Sequence, residues 1–273
     1  MQPVRSKSII VDLYGAYVRG LGGWIAIADL IRLMADLGTD EQAVRSTVSR
    51  MSRKGLLARH VRGGVVGYRL SDDAEAILAE GDRRIFAGRR GADLADGWVL
   101  AVFSIPERYR HRRHQLRSRL TWLGFGSLGG GVWIAPARVE PRAIDAVVDL
   151  GLETYVDIFV AGYRGFAEQR ALVERAWDLG DLDRQYGAFV DAAESVLARW
   201  AAGPSDDANR GAFIDYTHLL HRWRKLPYLD PGLPAELLPA DWRGWTAASL
   251  FDRVVARLEK RASRYVEDVI GNG

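Results

Sequence analysis

The sequence contains no cysteine, which removes disulfide scaffolds, thiol nucleophiles, zinc knuckles and iron–sulfur clusters at once. It also lacks any apolar run approaching the roughly 20 residues needed to span a bilayer, and no secretory apolar core with a cleavage site follows the first residues. A cytoplasmic location with no membrane partner is therefore expected. Neither a Gly-Xaa-Ser-Xaa-Gly nucleophile elbow nor a phosphate-binding P-loop occurs, so two common catalytic frameworks have nothing to build on. Internal repeats and low-complexity tracts are missing too.

What is present is the composition of a folded protein: 273 residues, 48% of them hydrophobic, enough to bury a core and to divide into two or three compact parts. The net charge of +3 is too small to identify a partner, so its distribution says more. From Arg45 to Arg69 the chain carries Arg45, Arg50, Arg53, Lys54, Arg59, Arg62 and Arg69 without one Asp or Glu. That local excess points to a polyanion.

Periodicity divides the chain into a first segment over residues 1–90, a middle one over 97–167 and a last one over 168–273, with a Gly-rich, charged linker at Ala87 to Gly97. The middle segment reads as β-α-β-α-β: strands at Trp98 to Ile105, Gly131 to Ala135 and Thr154 to Ala161, helices at Tyr109 to Leu123 and Pro141 to Leu150. Such an order suggests a small ferredoxin-like sheet with helices on one face. Beyond Glu168 the apolar spacing is helical, as at Tyr186, Phe189, Val190, Ala193 and Val196, with a proline-rich loop from Pro227 to Pro239. The fold class expected is α+β.

Within the first segment, Ser8 to Arg19 predicts an amphipathic helix that buries Ile10, Leu13, Tyr14 and Tyr17. Ile27 to Leu37 predicts a second that buries Leu30, Ile31 and Met34. After a sharp turn at Gly38, Thr39 stands three residues before Gln42 in capping-box spacing, which predicts a third helix to about Lys54. Val44, Val48 and Met51 share its inner face. Gln42, Ser46, Ser49, Arg50 and Arg53 share the outer one, with Arg45 and Lys54 at its flanks. Arg can pair bidentately with guanine and Gln with adenine, while Ser reaches phosphates or base edges, so this outer face has the chemistry of a DNA recognition helix. Two alternating runs around Gly63-Gly64 predict a β-hairpin that presents Arg59, Arg62 and Arg69 to the same partner. A basic helix alone is more often merely solvated. Three helices, a tight turn and a basic hairpin in one stretch favour a winged helix-turn-helix on duplex DNA.

Three stretches resemble the PaaX family of repressors of bacterial phenylacetate-degradation operons: Ala43 to Ser71 (AVRSTVSRMSRKGLLARHVRGGVVGYRLS), Leu120 to Pro136 (LTWLGFGSLGGGVWIAP) and His218 to Phe251 (HLLHRWRKLPYLDPGLPAELLPADWRGWTAASLF). The resemblance implies an N-terminal winged helix, a ferredoxin-like middle domain similar to that of small CRISPR-associated nucleases and a helical C-terminal domain. It also implies a homodimer on a palindromic operator, released by an aryl-CoA thioester. A pocket for such an effector needs aromatic walls and cations, which Trp122, Trp133, Arg164, Arg222 and Arg224 can supply; it is expected between the middle sheet and the His218 to Trp245 region.

The enzymatic alternative is a metal-dependent nuclease built on the middle domain. That chemistry wants a carboxylate near the end of the first strand, where Phe103, Ser104, Ile105 and Pro106 stand instead. His218 with His221, and His111 with His114, have a metal-compatible spacing but no evident carboxylate partner. No enzyme, metal or cofactor is expected. The helix Arg108 to Arg119 (RYRHRRHQLRSR) is read first as a solvated or interfacial face, with a second nucleic-acid contact or an effector phosphate clamp as alternatives.

Overall fold

A computed structural model describes residues 6–86, 91–203 and 207–271. The chain begins with helix α1 (Ser6–Leu13), prolonged by a π turn and a 3-10 turn to Leu21. Strand β1 (Trp24–Ala26), α2 (Ile27–Asp36), α3 (Glu41–Arg53), β2 (Leu57–Arg62), β3 (Val65–Leu70) and α4 (Asp72–Phe86) follow. Next come β4 (Trp98–Phe103), α5 (Arg110–Leu123), β5 (Gly126–Gly129), β6 (Val132–Pro136), α6 (Glu140–Asp149) and β7 (Val156–Ala161). The remainder is helical: α7 (Gln169–Ala176), α8 (Leu179–Ala201), α9 (Ala208–Trp223), the short α10 (Leu226–Leu229) and α11 (Gly244–Gly271). The expected α+β class thus holds, with two antiparallel sheets and a helical C-terminal region. Two compact units result: residues 1–87, 188–224 and 246–273 form one, and 88–187 with 225–245 form the other. Residues 87–90, at the start of the expected linker, lie outside the described residues.

In the first unit, Ile10, Leu13 and Tyr14 of the opening helical stretch are fully buried, as its apolar spacing requires. On α2 the buried stripe is Leu30, Leu33 and Met34, while Ile31 is only half-buried, so the inner face is turned slightly from the expected one. Gly38, at φ +77°, ends α2 with the Gly38 amide on the Ala35 carbonyl and the Thr39 amide on the Met34 carbonyl, both at 2.9 Å. Only a left-handed residue closes this pair of bonds, and glycine reaches that conformation without strain. The cap of α3 is Asp40 rather than Thr39: its carboxylate accepts the Ala43 amide at 2.9 Å. The capping-box reading was therefore one residue early, and a carboxylate at that end also suits the helix dipole.

Farther along the first unit, the Tyr17 hydroxyl meets the Thr217 hydroxyl at 3.0 Å, and Trp223 stacks on Phe251 at 4.6 Å between centroids. Asp12, 3% exposed, holds His221 Nδ1 at 2.6 Å through one oxygen and faces Arg224 with the other. Helix α9 is thereby tied to α1 through a buried charged cluster, a tie that periodicity cannot register.

The second unit is a four-stranded antiparallel sheet of order β5-β6-β4-β7. Its element order is β-α-β-β-α-β, one strand more than the sequence pattern showed; β5 (GSLG) offers no apolar alternation to detect. Val99, Ala101 and Phe103 alternate on one face of β4 and pack with Leu116, Leu120 and Leu123 of α5 and Ala143, Ala146 and Val147 of α6. Both helices therefore cover the same face. The expected loop after Pro227 contains α10, which begins at Leu226, and a 3-10 turn at Ala235–Leu237.

Candidate nucleic-acid interface

Helix α3 is anchored by Val44, Thr47, Val48 and Met51, each no more than 3% exposed. Packing this stripe inward forces the opposite face into solvent, and Gln42, Arg45, Ser46, Ser49, Arg50, Arg53 and Lys54 are all exposed. The helix stops at Gly55, φ +69°, where the Gly55 amide donates to the Ser52 carbonyl at 2.9 Å and the Leu56 amide to the Met51 carbonyl at 3.0 Å. This stop launches β2 directly from the helix end.

Strands β2 and β3 pair in register from Leu57 opposite Leu70 to Arg62 opposite Val65. Gly63 and Gly64, both at positive φ, form the two-residue turn that the right-handed twist of a hairpin prefers. Arg59, Arg62 and Arg69 are exposed on it. Sequence reasoning missed what stiffens this hairpin. Strand β1 pairs with β3, Trp24 Nε1 donates to the His60 carbonyl at 3.1 Å, and a Cβ at Gly67 would overlap the Ile25 carbonyl and the Trp24 ring. Its one trace in the sequence is Trp24, directly before Ile25 and Ala26.

The basic residues of this face are not equally available. Arg45 pairs with Glu41 at 2.7 Å, Arg69 faces Asp72 at 3.8 Å, and the Arg62 guanidinium lies 5.1 Å from the centroid of the Trp24 ring. Arg50 donates to the Ser46 hydroxyl at 2.7 Å and the Thr47 hydroxyl at 2.9 Å, which orders its guanidinium without neutralising it. Arg53, Lys54 and Arg59 form no ion pair among the described residues.

The five expected effector residues are divided between the units. Trp122, Trp133 and Arg164 belong to the second; Arg222 and Arg224 belong to the first. Trp122 is partly exposed beside Tyr228, Trp133 is buried in the sheet core, Arg164 and Arg222 are exposed, and Arg224 is engaged by Asp12. Two cavities lie within the described residues of the second unit. One of about 620 Å³ is lined by Val173, Ala176, Trp177, Leu237 and Leu238 with Arg170 and Arg175, none of which the sequence had singled out. The other, about 330 Å³, lies at the end of β4 and includes Trp133.

His111 and His114 are exposed on α5, whereas His221 is buried on Asp12. Burial, with the Arg222 charge alongside, pulls the His218 imidazole below its ordinary range. No three His, Asp or Glu side chains among the described residues are grouped to hold a metal. Gly124, Gly126 and Gly129 repeat the spacing of a dinucleotide fingerprint, but they lead from a helix into a strand, the reverse of the order that places a pyrophosphate on a helix N-terminus.

Comparison with known proteins bears on all three parts of the chain. Residues 5–74 match a family described as "PaaX-like protein", residues 91–173 its "PaaX protein central Cas2-like domain" and residues 177–268 its "PaaX-like protein C-terminal domain". The chain belongs to the PaaX family. A curated relative, the transcriptional repressor PaaX of Escherichia coli (strain K12), is 27% identical over 97% of this chain and 84% of its own length. A solved structure, the uncharacterized protein Rv0674 of Mycobacterium tuberculosis, aligns with a TM-score of 0.57 at 26% identity, over 96% of this chain and 98% of the other. A repressor relative along nearly the whole PaaX-family chain supports a DNA-binding regulator. No described helix is long and apolar enough to cross a membrane.

Proposed function

We propose that this chain is a cytoplasmic transcriptional repressor that binds a palindromic operator as a homodimer. Residues 1–90 act as a winged helix-turn-helix, with α3 in the major groove and the β2-β3 hairpin as the wing on the flanking backbone. Base-edge contacts fall to Gln42, Ser46, Ser49, Arg50 and Arg53. Phosphate contacts fall to Arg45, Lys54, Arg59, Arg62 and Arg69. The observation that carries this reading is the exposed face of α3, acid-free from Arg45 onward and beside a basic hairpin, in a chain whose relative is a repressor.

Residues 97–167 form a ferredoxin-like domain in this reading, which the strand order β5-β6-β4-β7 supports. Residues 168–273 form the helical partner domain. Regulation needs no chemistry, metal or cofactor: an effector that favours a DNA-incompetent state shifts the population by its differential affinity. An aryl-CoA thioester, the effector that the family resemblance implies, would relieve repression of an aromatic-acid catabolic operon.

The test is fluorescence anisotropy on the promoter of the chain's own operon at two salt concentrations, with and without aryl-CoA thioesters. Specific, salt-sensitive binding abolished by a thioester is the expected result. Binding without sequence preference would overturn the repressor, and indifference to every thioester would remove the effector alone.

A further inference from the structure

The smaller cavity of the second unit has a composition unlike that of a packing defect. Among the residues that line it are Ser104, Arg113, Arg117, Ser127, Gly130 and Trp133, and no carboxylate is among them. Arg113 and Arg117 stand one helical turn apart on α5, so both reach the same side of the helix. Arg113 is fixed in place, with one nitrogen on the Ile105 carbonyl at 3.1 Å and another on Glu107 at 2.7 Å. Arg117 forms no ion pair among the described residues, and its guanidinium lies 5.8 Å from the centroid of the Trp133 ring. One cation is thus partly neutralised and anchored, and the other is presented with its charge intact.

The opposite wall is the turn between β5 and β6. Gly129, Gly130 and Gly131 all hold positive φ, a run that only glycine tolerates, so this wall is bare backbone. Gly131 is also pressed on the end of β4: a Cβ there would overlap the Phe103 carbonyl, and the Phe103 amide donates to the Gly131 carbonyl at 3.0 Å. The Ser127 hydroxyl accepts the Gly129 amide at 3.3 Å and shapes the turn. A bare glycine turn, two guanidinium groups and two serine hydroxyls, with no carboxylate among them, make a lining suited to oxyanions of high charge. At about 330 Å³ the cavity is near the lower limit of small-molecule sites. That volume suits a phosphate or diphosphate group better than a whole cofactor.

We propose that this cavity binds the phosphate or diphosphate group of a small phosphorylated ligand, with Arg117 as its main charge partner and Arg113 and the glycine turn as the supporting walls. The position is the one at which a metal-dependent nuclease would place a carboxylate; cations there select an anion instead of a metal ion. For the class of its ligand the inference rests on the effector part of the proposed function; occupancy itself rests on the cavity alone and can be measured without DNA.

Calorimetric titration of the full chain with inorganic pyrophosphate, at constant ionic strength against chloride, is the deciding experiment. Submillimolar binding is expected, weakened roughly tenfold or more in Arg117→Gln, as the loss of a charge-assisted contact predicts. Ser127→Ala, a gentler change, should weaken binding by a smaller factor. Equal affinity in wild type and Arg117→Gln, or no preference for pyrophosphate over chloride, would overturn the site. The same variant titrated on promoter DNA separates the two sources of phosphate. Unchanged DNA affinity is expected, and a parallel loss of DNA binding would assign the pocket to the nucleic-acid backbone and overturn the small ligand. Failure of wild type to bind DNA at all would sink the repressor and leave the pyrophosphate result standing.

Discussion

Helices α3 and α5 are both rich in arginine, and by composition alone α5 is the more persuasive DNA-binding element. Their surroundings differ. On α5, Arg113 and Arg110 face Glu107 at 2.7 and 3.9 Å, Arg119 faces Asp149 at 3.8 Å, and Arg112 reaches the Gly151 carbonyl at 3.5 Å. On α3, Arg45 is the one arginine of the helix with a carboxylate partner among the described residues, and the next basic element is the β2-β3 hairpin. Exposed ion pairs add little stability, yet they do cancel local field. Density of positive charge is thus a poor guide to a polyanion site; what distinguishes α3 is the second basic surface beside it, while Arg110, Arg113 and Arg119 of α5 face local carboxylates.

The strongest way to break this contrast is the double substitution Arg50→Ala with Arg53→Ala. If both side chains read base edges, promoter affinity falls by about thirtyfold or more, since each such contact is worth about 1–3 kcal/mol; anisotropy at fixed salt reads this directly. Unaltered binding would show that α3 is no more a DNA-binding element than α5. Next in size is Leu120→Ala on the buried side of α5, fully buried in the native chain. It should destabilise the second unit by about 2–5 kcal/mol in a urea titration. With α3 untouched, promoter affinity should hold wherever the variant remains folded.

Asp40→Ala removes the cap of α3 and should cost about 1 kcal/mol, measured by urea denaturation. Arg59→Ala probes the hairpin: affinity should drop evenly across sequences, and the slope of log affinity against log salt should become shallower by about 1. A sequence-dependent loss would mean that Arg59 reads bases. The smallest effect is expected from Arg110→Glu with Arg119→Glu, which should change promoter affinity by less than about threefold if their charge is offset by Glu107 and Asp149. A larger loss would make α5 a second nucleic-acid contact.

The parts of the fold visible in the sequence were those governed by near neighbours. Gly38, the apolar stripe of α3 and the double glycine of the hairpin each act within a few residues, and each element appears close to its expected bounds. Strands β1 and β5 escaped because three residues of one and the Gly-rich four of the other carry no alternation; they are strands because β3 and β6 supply their hydrogen bonds. The candidate DNA face was readable because burying Val44, Val48 and Met51 leaves its side chains no direction but outward. The five proposed effector residues offered no comparable constraint, and their division between two units has no trace in local pattern.

By itself, the sequence determined the helical periods, the glycine stops, the acid-free basic stretch and the family resemblance, because all of these are properties of residues a few positions apart or of the order of residues along the chain. Tertiary structure alone decided that Asp12 is buried against His221, 209 positions away, and that Trp24 locks the hairpin through the His60 carbonyl. It also decided that Arg113, Arg117 and a glycine turn enclose one cavity. Such contacts depend on where separate elements finally pack, and the burial energy that selects that packing is summed over the whole core rather than written in any one segment.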